Sequence, residues 1–150
     1  MKQFILDCSV AISWCLPDET DEYAEAILDL LTSTDRPIEA IVPTIWSLEL
    51  INVFLVAERR QRISLTEVET AIALIHQLPI AIDSAIYPEI LHSILGLGRK
   101  YSIAAYDAAY LELAIRLGLP LATNDQRLMD AAQQTNVFLA KENIAETRSQ

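Results

Sequence analysis

The sequence predicts an α/β fold: a three-layer α/β/α sandwich around a central parallel sheet of four to five strands, in the order 3-2-1-4-5. Three observations carry this expectation. Five short, continuous apolar runs are spread along 150 residues, and strands covered on both faces read as such unbroken runs. Longer stretches with helical apolar spacing lie between them, and strands alternating with helices give parallel sheets joined by right-handed crossovers. The chain holds three Gly, which argues against an all-β fold built on tight hairpins and against a glycine-rich phosphate loop.

The elements follow in order. Phe4-Ile5-Leu6 is the first strand. A helix is predicted from Asp18 to about Leu31, with Tyr23, Ile27, Leu30 and Leu31 at helical spacing. Ala40-Ile41-Val42 is the second strand, closed by Pro43. The longest helix runs from Thr44 to about Gln61. Thr66 to about Gln77 opens with Thr66 and Glu69, a capping-box pattern. Ile80-Ala81-Ile82 follows Pro79 as the third strand. Helices then span Pro88 to about Lys100 and Ser102 to about Leu117, the latter ending at Gly118, a C-cap residue. Leu119 to Ala122 is the fourth strand, Asn124 to about Gln134 a helix, and Val137-Phe138-Leu139 the fifth strand. Residues 1–141 form one domain, and residues 142–150 turn polar and read as a tail. A domain of this length buries about 68–70% of its unfolded surface, enough for a core without staples.

The 21 acids against 11 bases leave a net charge of -10. That opposes the basic footprint expected of a nucleic-acid binder. The two cysteines, Cys8 and Cys15, lie in one apolar stretch and read as free thiols of a reducing compartment. The N-terminal apolar run is too short for a signal peptide, and no stretch reaches the roughly 18–20 apolar residues of a membrane span. The expectation is a cytoplasmic protein.

Most acids fall on polar faces; four do not. Asp7 directly follows the first strand and Asp125 follows the stretch after the fourth, so a parallel sheet puts both at its carboxyl edge, where such folds place their sites. Glu49 lies in the longest helix between Ile45 and Val53, with Asn52 at i+3, on an otherwise apolar face. Asp107 lies early in its helix, among Ile103, Ala104, Tyr110 and Leu111. An acid on a core-facing stripe is costly unless paired or metal-bound. Taken singly, plainer explanations stand beside this one. Asp7 could open a helix with Ser9 as its cap; Asp125 or Asn124 could be an N-cap; Glu49 could pair with Arg59 or Arg127. Together the four acids suggest one carboxylate cluster. Carboxylates gathered in one place repel, and a hard divalent cation resolves the repulsion. Oxygen ligands without His or Cys suit Mg²⁺ or Mn²⁺ and not Zn²⁺. His76 and His92 read as ordinary helix residues, far in sequence from the acids.

The residues around these acids resemble a known family. Ile5-Leu6-Asp7-Cys8-Ser9-Val10 is similar to the opening strand and first acid of PIN-domain nucleases. Trp46-Ser47-Leu48-Glu49-Leu50-Ile51-Asn52 resembles their second-acid helix, and Tyr106-Asp107-Ala108-Ala109-Tyr110-Leu111-Glu112-Leu113-Ala114 their third. The run from Gly118 to Leu128 resembles the strand that delivers the last acid. The likeness covers nearly the whole chain and is greatest to VapC-type toxins of type II toxin–antitoxin pairs. It implies a PIN-like fold and an RNA endonuclease using Mg²⁺ or Mn²⁺. By the same resemblance Asp7, Glu49, Asp107 and Asp125 bind or organise the metal, with Ser9, Asn52 and Thr123 in support. It further implies a homodimer and a small antitoxin protein that blocks the site.

The acidic balance departs from what an RNA enzyme needs, so binding is expected to rest on local bases: Arg59, Arg60, Arg62, Arg99, Lys100 and Arg127. The helix from Trp46 to Ala57 is apolar almost all round, more than one buried stripe requires. Trp46, Leu50, Phe54 and Leu55 are therefore candidates for a dimer or antitoxin interface, or for burial under a neighbouring helix. Three rival readings stand beside the nuclease. A haloacid-dehalogenase-type phosphoryl transferase needs an acid at position 9, which is Ser. A receiver-like signalling domain expects paired acids near the first strand and a late Lys in the sheet, which are missing. A PIN fold kept only for protein–protein contact would cleave no RNA.

Overall fold

The computed structural model describes residues 1–149 apart from Thr20 and Pro37. Its centre is a four-stranded parallel sheet in the order β3-β2-β1-β4, formed by β1 (Gln3–Leu6), β2 (Glu39–Pro43), β3 (Ile80–Asp83) and β4 (Leu121–Ala122). β1 pairs with β2 from Gln3↔Glu39 to Ile5↔Ile41, and with β4 through Ile5↔Leu121 and Leu6↔Ala122. The predicted fifth strand is reduced to one parallel bridge, Leu121↔Phe138. Leu121 donates to the Val137 carbonyl at 2.7 Å and Leu139 donates to the Leu121 carbonyl at 2.9 Å. The chain then turns into a helix, which leaves no length for a further rung.

Helices cover both faces. α6 (Ala105–Leu117) lies over β1, β2 and β4, with α5 (Pro88–Tyr101) and α7 (Gln126–Gln134) against it. α1 (Cys8–Cys15) packs on α2 (Glu22–Thr32) and α3 (Ile45–Arg59), and α2 packs on α8 (Lys141–Ser149). α4 (Leu65–Ile75) leads into β3. Phe4, Ile5 and Leu6 are fully buried in the sheet, with Tyr110, Leu111 and Leu113 of α6 equally buried. Among the described residues no helix is long and apolar enough to cross a membrane.

Several elements differ from their sequence reading. α1 is a helix where the sequence shows only an apolar stretch; its eight residues, with Ser9 and Ser13 the only polar ones, are too few to display a face. α2 starts at Glu22 and not at Asp18, because the Asp21 side chain accepts from the Ala24 amide at 2.8 Å and fixes the N-terminus there. Thr20, inside the predicted helix, lies outside the described residues. The capping box of α4 is Ser64 with Glu67, not Thr66 with Glu69: Ser64 is extended (φ -85, ψ 160) and both reciprocal bonds are made. The stretch read as a polar tail from residue 142 folds as α8, with Ile144 buried as its apolar anchor; Gln150 lies outside the described residues. Gly118 ends α6 in the left-handed region at φ 64, as its place predicted.

Candidate active site

Parallel strands β1 and β4 end side by side, and that juxtaposition builds the site. The Asp7 amide donates to the Ala122 carbonyl at 3.0 Å, so the residues after Leu6 and after Ala122 leave the sheet together. Asp7 stands at the N-cap position of α1 but its side chain makes no cap bond, and Ser9 sits inside the helix. Asp7 thus does open a helix, but Ser9 is not its cap, and the Asp7 carboxylate is engaged elsewhere. Asp7 Oδ2 accepts from Ser9 Oγ at 2.5 Å and from Thr123 Oγ1 at 2.7 Å. Each hydroxyl is used twice: the Asn124 amide donates to Ser9 Oγ at 2.9 Å, and the Asp125 amide to Thr123 Oγ1 at 3.0 Å. The loop after β4 is thereby stitched to the start of α1.

Asp7 is 4% exposed. Burial raises its pKa, the charge of Asp125 adds to the rise, and the bonds from Ser9, Thr123 and the Cys8 amide offset part of it. Asp125 is exposed and caps α7 by accepting from the Leu128 amide at 2.9 Å. Its N-cap role does not remove it from the site, because its charge also acts on Asp107. Asp107 lies in the first turn of α6. Partial burial, then the charges of Asp125 and Asp7, lift its pKa to about 6, against a smaller opposing influence of the Ala104 amide and Arg127. Glu49, half-buried on α3, is raised by burial first and by the charges of Asp7 and Asp107. Neither Arg59 nor Arg127 pairs with it; Glu49 Oε1 accepts from the Tyr110 hydroxyl at 2.7 Å.

The charge of Asp125 thus acts on Asp7 and Asp107, and the charges of Asp7 and Asp107 act on Glu49, at the carboxyl edge of the sheet. Asn52 is exposed, and no hydrogen bond joins it to the acids among the described residues. Two features escape the sequence reading. Tyr110, three residues after Asp107, looks like core on an apolar face. Asn124 donates from Nδ2 to Asp21 Oδ2 at 2.6 Å, tying the site loop to the start of α2; only the fold reveals that contact.

The donor set is made of hard oxygens. The nearest thiol, Cys8, is held protonated by burial and by the neighbouring charges of Asp7 and Glu49, so it offers no soft ligand. Burial is the first cause of the raised carboxyl pKa values, and neighbouring acid charge, which a cation would neutralise, adds to it. Among the described residues no three His, Cys, Asp or Glu side chains stand close enough together to grip an ion as placed. The fit to Mg²⁺ or Mn²⁺ therefore rests on donor chemistry and charge.

The profile of the PIN domain matches residues 4–134, which carry all four acids. The chain belongs to the PIN domain family. No curated protein sequence matches it. Among solved structures, PAE2754 from Pyrobaculum aerophilum superposes with a TM-score of 0.71 at 15% identity, covering 99% of this chain and 97% of that one. A toxin–antitoxin complex from Klebsiella pneumoniae gives a TM-score of 0.59 at 18% identity, covering 91% and 96%. The sarcin–ricin-loop-cleaving toxin VapC20 of Mycobacterium tuberculosis gives 0.57 at 12%, again covering 91% and 96%. At these identities the likeness shows that this PIN domain shares their fold.

Proposed function

We propose that this PIN domain is a Mg²⁺- or Mn²⁺-dependent endoribonuclease acting in the cytoplasm as the toxin of a toxin–antitoxin pair. The observation that carries the reading is the placement of Asp7, Glu49, Asp107 and Asp125 along one edge of a PIN fold, where the charges of Asp7, Asp107 and Asp125 act on neighbouring acids. These four residues would hold the metal, which when bound lowers the pKa of a water and steadies the charge developing on a phosphodiester. The chain's own part is positional. Ser9 and Thr123 fix Asp7 against the loop that carries Asp125, and α6 brings Asp107 to them.

RNA must approach an acidic molecule, so local cations matter. Arg127 follows the site loop directly and its charge reaches Asp107. It carries no ion pair among the described residues, nor do Arg59, Arg60 and Arg99. Arg62 is committed elsewhere: it bridges to Asp18 at 3.0 Å and Glu19 at 2.6 Å.

A homodimer is supported by a stripe on α3. Trp46, Leu50 and Phe54 are buried within the chain, but Leu48, Ile51 and Leu55 are 67%, 42% and 43% exposed. At i, i+3 and i+7 they share a helix face. An antitoxin partner is supported by structural neighbours that include toxin–antitoxin complexes. The test incubates purified protein with a mixed RNA pool in Mg²⁺, in Mn²⁺ and in EDTA. Cleavage with metal, its absence in EDTA, and a loss of more than about 100-fold in Asp7→Asn and Asp107→Asn are expected, exceeding the usual effect of a residue that only supports a metal ligand. Full activity in either variant or in chelator overturns the assignment. Failure to cleave any RNA favours a PIN fold kept for protein–protein contact.

A further inference from the structure

The acids of the site share a pattern of anchoring. Asp7 takes two hydroxyls on Oδ2, and Asp125 takes an amide on Oδ1. Glu49 takes the Tyr110 hydroxyl on Oε1. In the first two cases the anchor comes from the loop after β4 or the first turn of a helix, close in space by construction of the sheet edge. The third is different. Glu49 sits on α3 and Tyr110 on α6, 61 residues apart in sequence, and a glutamate has one more rotatable bond than an aspartate to lose.

Tyr110 is fully buried. Its ring is enclosed in the core, and close-packed cores leave a buried ring few rotamers, so its hydroxyl is a donor on a constrained arm. Packing alone would be met by phenylalanine; the one thing the hydroxyl adds is this bond. On the other side, the half-buried Glu49 has no other hydrogen bond among the described residues, and Oε2 is left without one. A carboxylate with one oxygen held and the other open is pre-set as a ligand for a hard cation, because the rotamer is already selected. Tyr110 also lies one turn beyond Asp107 on α6, so one helix presents one acid and orients another.

We propose that Tyr110 is a positioning residue of this site, donating to Glu49 Oε1 so that the carboxylate is held toward Asp7 and Asp107. The proposal rests on the metal-dependent reading above. Its test is Mn²⁺ binding to the full chain by calorimetry for four proteins: the parent, Tyr110→Phe, Glu49→Ala and the double variant. Circular dichroism and melting in EDTA check that each is folded. Tyr110→Phe is expected to bind Mn²⁺ roughly 10–100-fold more weakly, the usual scale for losing a group that orients a metal ligand. In the Glu49→Ala background the same change should make no further difference, because nothing is left to position. Two results overturn the proposal and leave the metal reading intact: parent-like Mn²⁺ affinity in Tyr110→Phe, or an equal loss with and without Glu49. A parent chain that binds no Mn²⁺ at all overturns both. If Tyr110→Phe does not fold, Tyr110→Met, a smaller and more adaptable side chain without a hydroxyl, is put through the same four-way comparison and decides the matter.

Discussion

A carboxyl group that titrates at about 6 in the folded chain, as Asp107 does, sets the pH response of the metal-free protein. Unfolded, an aspartate titrates at about 4. Between those values the folded chain keeps a proton that the unfolded chain has released. Stability without metal therefore falls as pH rises from about 4 through about 6, and the whole deficit is present at pH 7. Partial exposure of Asp107 reduces the deficit to about 1–2 kcal/mol. In EDTA at pH 7, Asp107→Asn is expected to melt no lower than the parent, with the advantage gone at pH 4. It should also gain less from added Mn²⁺, because a ligand that binds only the folded state stabilises in proportion to its affinity. Paired melting curves check this, and a variant clearly less stable in EDTA would give Asp107 a structural partner. Arg116 obeys the opposite logic. It bonds both Asp83 and Glu112, and Glu112 is 7% exposed. Arg116→Ala leaves a buried carboxylate without its cation and should cost about 1–3 kcal/mol by urea denaturation.

Single elements explain what the sequence could and could not disclose. Phe4-Ile5-Leu6 and Ala40-Ile41-Val42 were legible because a strand buried on both faces has no polar alternation to hide it. Asp7 and Asp125 were legible for the same reason, as the first acids after such runs. α1 and α8 were not. Cys8–Cys15 is short and its two serines, Ser9 and Ser13, are too few to mark a polar face, so periodicity has little to select. Lys141–Ser149 has the reverse fault: it is a polar run in which Ile144 is the large apolar residue that the fold buries. Tyr110 was illegible because a tyrosine on an apolar face looks like core until the fold shows what its hydroxyl meets. The anchoring of α8 makes a measurable claim. Ile144→Asp should destabilise the chain by about 2 kcal/mol or more, from the lost burial of one aliphatic side chain and a new buried charge. Lys141→Ala should leave the urea midpoint where it is in the parent, since its bond to Glu22 is exposed.

For the molecule as a whole, the proposed dimer is the assertion most open to measurement. Leu48→Glu with Leu55→Glu alters only exposed positions, so the fold should persist while light scattering moves from dimer to monomer at micromolar concentration. A parent that is already monomeric there would end the claim. The two free thiols offer a second whole-molecule measurement. Burial pushes Cys15 up to about 11, and Cys8 is pushed up further by burial and by the charges beside it. Neither is an appreciable nucleophile at neutral pH while α1 stays in place. Alkylation then becomes a clock. The partly exposed Cys15 should label first, whereas Cys8 should wait for the segment next to Asp7 to lift from the sheet. The waiting time at Cys8, followed by mass spectrometry through a denaturant series, counts openings of the carboxyl edge of the sheet without any ligand being present.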